Sequence, residues 1–195
     1  GEISRMSMSC QPDVAVITNI GISHIENLGT QENILKAKLE ILDGAAYDAP
    51  LILCRDDKLL AGVQLHSDRK VYYYSVSKKD CDVYASGVKT VDNSITFTIN
   101  YAGGKIAAQI NCLGEHNVKN ALAAFCVGLA LDIPPEDIVK GIAQFKPEGL
   151  RQNVTVIDGV TYIVDCYNAA PDSMKASLSV LSQAQAEGKR ICVLG

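Results

Sequence analysis

Lys38 is the first residue whose setting invites chemistry. The chain from Thr30 to about Leu42 reads as a helix with Thr30 as its cap. At about 100° per residue, Ile34, Leu35, Leu39, Ile41 and Leu42 fall on one arc. Lys38 lies near the middle of that arc, while Lys36 and Glu40 point away. A lysine centred on an apolar face must snorkel, pair or lose its charge, because burying an unpaired ammonium is costly. A functional amine and a snorkelling stem both satisfy this pattern. His24 follows a strand-like run and a glycine turn, where α/β proteins place ligand-binding groups; a structural or merely exposed histidine is the alternative. His116 and Asn117 stand at an expected helix N-terminus, where Asn117 can cap and the free N–H groups also favour an anionic ligand. Asp165 closes a strand-like run and precedes Cys166-Tyr167-Asn168. A polar group there is either a site residue or part of an ordinary turn. Arg151 lies just past a linker, able to reach across a cleft or to form a surface salt bridge.

The elements that must position these groups follow from periodicity. Asp13–Thr18 and Leu51–Cys54 are short apolar runs expected as buried strands, and a polar Arg55-Asp56-Asp57 turn follows the second. From about 70 to 112 the pattern changes. Val71–Val76, Ser94–Asn100 and Ile106–Cys112 are strand-like, with a turn at Ala102-Gly103-Gly104, which predicts a small antiparallel sheet. A long helix is expected from Asn117 to about Leu131, and another from Pro134-Pro135-Glu136 to near Phe145. Lys146-Pro147-Glu148-Gly149 is the expected domain boundary. Beyond it, Asn153–Ile157 and Val160–Asp165 form a hairpin around Asp158-Gly159, a helix starts at Pro171, and Ile191–Leu194 reads as a strand. Strand, helix, strand predicts the start of a parallel α/β domain.

Bulk properties narrow the function classes. The chain has 195 residues, 48% apolar and 21% charged, enough for a real core and an ordinary globular balance. Its net charge is −4 with both signs mixed, so no basic block points to nucleic acid and no amphipathic basic stretch to a membrane surface. The cysteines, Cys10, Cys54, Cys81, Cys112, Cys126, Cys166 and Cys192, are odd in number and never form C-x-x-C, which predicts reduced thiols in a cytoplasmic protein and no zinc site. The P-loop pattern G-x-x-x-x-G-K-[ST] does not occur. The chain opens on Gly1-Glu2-Ile3 without a methionine and stops just after a strand-like run, so the expectation is a piece of a longer protein.

Four segments, taken together and in order, resemble the Mur ligase family. They are Ile17–Gly29 (ITNIGISHIENLG), Ala37–Ile41 (AKLEI), Gly114–Ala124 (GEHNVKNALAA) and Asp165–Met174 (DCYNAAPDSM). The Y-N-A-x-P-x-S-M form of the fourth resembles the branch that joins D-alanyl-D-alanine to UDP-N-acetylmuramoyl-tripeptide. The family commonly has a second acidic residue where this chain has Val164, and often Asn where it has Ala170.

The resemblance implies three domains in the whole protein: one for the UDP-sugar, a central ATPase and a Rossmann-like C-terminal domain. Residues 1–147 would be the later part of the P-loop-type α/β central domain, with its antiparallel β-subdomain at about 70–112. Residues 148–195 would begin the C-terminal domain. The P-loop and an acidic magnesium ligand would lie upstream, so this piece alone would be inactive. The implied cofactors are ATP and Mg2+. His24 would coordinate a second magnesium ion, and Lys38 would be a carbamylated lysine helping to position magnesium beside the γ-phosphate. Asn117 and Asn120 would lie near the adenine, Arg151 and Asp165 at phosphate and ribose, and Tyr167 and Asn168 beside the nucleotide and dipeptide. A monomeric enzyme of the bacterial cytoplasm making peptidoglycan precursor is implied. A sister Mur or folylpolyglutamate-type ligase adding a single amino acid, and a non-catalytic binding protein of the same fold, are the alternatives.

Overall fold

The computed structural model describes residues 1–22, 25–65, 68–91, 93–147, 149–184 and 186–194. His24 therefore lies outside the described residues. Helix α1 (Glu2–Cys10) leads into strand β1 (Ala15–Ile17). A short helix α2 (Ile25–Leu28) and helix α3 (Gln31–Leu39) follow, and α3 tightens into a 3-10 turn over Glu40–Asp43. Strands β2 (Leu51–Cys54), β3 (Val71–Ser75), β4 (Val83–Val91), β5 (Ser94–Tyr101) and β6 (Gly104–Ile110) complete one six-stranded sheet in the order β1-β2-β3-β4-β5-β6. Helices α4 (Glu115–Ala130) and α5 (Pro135–Gln144) come next. A two-stranded sheet of β7 (Asn153–Ile157) and β8 (Val160–Val164) and helix α6 (Pro171–Gln183) close the chain.

The β1, β2, β3 and β4 pairings are parallel, and the β4–β5 and β5–β6 pairings antiparallel. The antiparallel segment is thus one end of the same sheet, and Val71–Ser75, expected within it, pairs on the parallel side. Strand β2 explains its own sequence: all four residues of Leu-Ile-Leu-Cys are buried, as a strand covered on both faces requires. Strand β5 alternates instead, with Ile95, Phe97 and Ile99 buried. Helix α4 supplies the main cover: Val118, Leu122, Phe125 and Cys126 are fully buried, and the Phe125 ring meets Tyr101 edge-on at 5.3 Å between centroids. Burial of a ring the size of Phe125 contributes about 2–3 kcal/mol.

Three further expectations need correcting. Asn117 does not cap α4. The helix starts two residues earlier, at Glu115, after Gly114 turns the chain with a φ of 95°, a conformation glycine reaches without strain. The arc that made Lys38 unusual is shorter than its periodicity implied. After Leu39 the chain leaves α-helical geometry, and Ile34 is the buried residue of α3. Ile191–Leu194 forms no strand. Val193 is 91% exposed, and among the described residues no strand lies beside this run to accept its backbone hydrogen bonds. Helix α1 and strand β4 were not foreseen. The exposed second half of β4 carries Lys89 and Thr90 beside the exposed Val88 and Val91, and breaks register between Ser86 and Lys89, near Gly87 with its φ of 64°.

Helix α1 is fixed by a close approach. A Cβ at Gly44 would sit 2.2 Å from the Ser7 backbone carbonyl carbon and oxygen. The buried Ser7 hydroxyl donates to the Ile41 carbonyl and accepts the Gly44 N–H at 3.1 Å. Gly44→Ala is therefore expected to push α1 off the 3-10 turn, at a cost of about 1–3 kcal/mol. Hydrogen exchange of the α1 amides would rise well above wild type; unchanged protection there would refute the account.

Candidate functional site

Two groups of polar side chains gather beyond the parallel strands, where α/β sheets bind ligands. The first surrounds the loop after β1. Lys38 is half-buried and donates from Nζ to the Asn19 carbonyl at 2.7 Å. Burial pushes its pKa below the ordinary lysine value, and the Asp57 carboxylate partly opposes that. Asp57, just past β2, holds the same loop: one oxygen accepts the Ile20 N–H at 2.6 Å, the other the N–H groups of Leu59 and Leu60 at 3.0 Å. Gln31 at the start of α3 donates to the Ile20 carbonyl at 2.9 Å. Lys38 is thus anchored to a loop that is itself tied to two neighbouring elements.

Asp56 adds a second carboxylate beside it. It accepts the hydroxyls of Ser75 at 2.6 Å and Ser77 at 2.5 Å, and the Val76 N–H at 3.0 Å. Burial works to raise its pKa, but these hydrogen bonds and the Lys119 charge hold it below the usual carboxylate range. In the sequence both aspartates read only as part of a polar turn. Two adjacent acids directly after a parallel strand were the signal available.

The second group surrounds the first turn of α4. Asn117 donates from Nδ2 to the Leu113 carbonyl at 2.8 Å and to Gln152 Oε1 at 2.9 Å. Asn120 donates to Asn117 Oδ1 at 3.4 Å. Next to Gln152, the exposed Arg151 guanidinium lies over the Tyr167 ring, 4.1 Å from its centroid. The N–H groups of Cys166 and Tyr167 both donate to the Leu150 carbonyl, at 3.0 and 3.2 Å, which braces this stack. Asp165 is half-buried just past β8 and accepts the Ser177 hydroxyl of α6. Burial lowers the His116 pKa, while the Asp165 charge and the Gln152 carboxamide pull it back up. The structure therefore brings Asn117, Asn120, Arg151, Asp165 and Tyr167 into one neighbourhood, with His116 and Gln152 added. Asn168 is exposed close by. Among the described residues no hydrogen bond or ion pair joins Lys38 to this group, although Lys119 of α4 acts electrostatically on Asp56.

Ala170 precedes α6 with no side chain to cap it. The Ser173 hydroxyl compensates, accepting the Ala170 N–H at 3.0 Å and donating to its carbonyl at 2.9 Å. A cavity of about 220 Å³ opens against Lys146 and Pro147, between α5 and β7, and is bordered also by Asn111, Gln152 and Val180. Neither Lys38 nor Arg151 lines it.

A metal centre is not assembled by the described residues alone. No three His, Cys, Asp or Glu side chains among them converge. Both Asp57 oxygens are engaged by backbone donors. No helix among the described residues is long and apolar enough to cross a membrane.

Comparison with known proteins agrees with this architecture. The UDP-N-acetylmuramoyl-tripeptide–D-alanyl-D-alanine ligase of Bacillus subtilis (strain 168) is 39% identical over 196 residues, covering all of this chain and 42% of that protein. The crystal structure of MurF from Acinetobacter baumannii superposes with a TM-score of 0.87 at 32% identity, covering 94% of this chain and 40% of that one. MurF from Thermotoga maritima, solved in complex with ADP, shares the fold with a TM-score of 0.82 at 24% identity over 94% of this chain and 42% of that one. The chain thus spans about two fifths of the length of the relatives it matches. The model of the Mur ligase middle domain matches residues 1–128, which hold the whole six-stranded sheet and nearly all of α4, and by that match the chain belongs to the Mur ligase family.

Proposed function

We propose that the full-length protein is an ATP-dependent ligase joining D-Ala-D-Ala to UDP-N-acetylmuramoyl-tripeptide, a step in making peptidoglycan precursor in the bacterial cytoplasm. The observation that carries this reading is the 39% identity to the Bacillus subtilis ligase over the entire chain, Tyr167–Met174 included. In the reaction, the tripeptide carboxylate takes the γ-phosphoryl group of ATP, giving an acyl phosphate and ADP. The amine of D-Ala-D-Ala then attacks the acyl carbon, loses a proton and expels inorganic phosphate. Two needs dominate: neutralising charge on the transferring phosphoryl group, and aligning two substrates.

The residues of this chain divide those needs. Lys38 stands at the loop after β1, and its burial favours the neutral amine, the form that reacts with CO2 to give a carbamate. A carbamate offers hard oxygen ligands, so with His24 it would hold magnesium, which supplies positive charge beside the γ-phosphate when bound. Asn117 and Asn120 face the adenine in this reading. Arg151 reaches the phosphates, Asp165 the ribose, and Tyr167 and Asn168 line the dipeptide end. The division into a central domain (1–147) and the start of a C-terminal domain (148–195) belongs to the same proposal. The sheet topology supports it, because β7 and β8 pair only with each other and not with any strand of the six-stranded sheet.

The test is phosphate release by the full-length protein given ATP, magnesium and UDP-N-acetylmuramoyl-tripeptide. The amine is varied among D-Ala-D-Ala, D-Glu and a diamino acid. Release with D-Ala-D-Ala alone is the expected result. Release only with a single amino acid would move the protein to a sister activity, and no release with any amine from a folded protein would defeat the ligase reading.

A further inference from the structure

Asn117 has no free donor. A carboxamide carries two N–H donors and one acceptor oxygen. Both donors are used, one on the Leu113 carbonyl at 2.8 Å and one on Gln152 Oε1 at 2.9 Å, and the oxygen already accepts from Asn120 at 3.4 Å. The Leu113 carbonyl belongs to the backbone entering α4 and cannot withdraw without moving the helix. Gln152 sits on a flexible side chain and can. Its backbone holds a φ of 47°, a left-handed conformation that a glutamine keeps only where its surroundings hold it.

The chemistry of the partner is specific. Asparagine pairs with adenine through one N–H given to a ring nitrogen and one oxygen accepting from the exocyclic amine. Here the glutamine oxygen takes the place of the ring nitrogen, accepting from Asn117 at 2.9 Å, while Asn120 supplies the donor to the Asn117 oxygen. We propose that Gln152 is an internal stand-in for the purine base, occupying the donor of Asn117 until nucleotide displaces it. The inference rests on the proposed role of Asn117 at the adenine and adds to it a competitor built into the chain.

The experiment uses the full-length protein and measures binding of ADP, and of tripolyphosphate as a probe without a base. Wild type, Gln152→Asn and Gln152→Glu are compared. Asparagine tolerates the left-handed backbone, and its shorter side chain withdraws from Asn117. It is expected to bind ADP about 2- to 10-fold more tightly, the range one hydrogen bond supplies, with no change for tripolyphosphate. Glutamate keeps the acceptor at the same reach and strengthens the bond by its charge, so ADP affinity relative to tripolyphosphate falls. Gln152→Asn binding ADP no better than wild type would overturn the proposal, and so would an equal gain for tripolyphosphate. A wild type that binds tripolyphosphate but gains nothing from the base would remove the adenine role of Asn117 itself, and the proposal with it.

Discussion

Lys38→Met is expected to slow phosphate release by the full-length protein about 10²- to 10³-fold, the loss usual when one group that stabilises transition-state charge is removed. Its melting temperature, measured without CO2 and magnesium so that the amine is unmodified, should stay level or rise. The two halves of this result come from the same burial. Lys38 is half-buried, and desolvation lowers its pKa below that of a free lysine. A lysine with a lowered folded pKa destabilises the fold while it is charged in both states. That penalty is fully present below the depressed folded value and fades as pH rises to the unfolded one. At neutral pH a methionine of similar shape therefore removes a penalty. The Asn19 carbonyl it leaves behind is exposed and can turn to water. A variant with near-normal turnover would show that the amine is only a snorkelling stem. A variant that loses stability together with activity would show that Lys38 holds the loop after β1 and has no separate chemical role.

Gly114→Ala is expected to lower stability by about 2–5 kcal/mol and to weaken nucleotide binding with it. Two causes act together. The φ of 95° at Gly114 lies where residues with a Cβ are strained. A Cβ there would also sit 2.5 Å from His116 Cε1 and 3.1 Å from Val180 Cγ2. His116 and Asn117 share the first turn of α4, and Val180 is the buried residue of α6. One methyl group would thus press on the helix entry and on the segment beyond the linker at once. Urea unfolding measures the first effect and ADP binding the second. A wild-type unfolding midpoint would contradict the packing described here.

Much of the architecture was legible along the chain because it is local. Leu51–Cys54 reads as a buried strand from its unbroken apolar run, and β7 and β8 as a hairpin from Asp158-Gly159 between two β-branched runs. Pro135 opens α5 at a position where its missing N–H does no harm. The four family segments likewise lie in order along the sequence. Strand β4 was harder to read, since its outer half is an exposed run with little periodic signal.

The identities of Lys38, Asn117, Arg151 and Asp165 as residues to watch came from the sequence, through type, spacing and resemblance. Their partners came only with the tertiary structure. Asp57 lies beyond β2 and holds the loop after β1. Gln152 reaches Asn117 from 35 positions away, and Tyr167 lies beneath Arg151. Such pairings depend on which strand ends adjoin and on which way a short backbone segment turns, and periodicity along one chain carries no record of either. Asn117 shows the limit most clearly. The sequence marks it as a helix cap or a ligand group, but whether its two donors are free depends on a residue brought back across the linker.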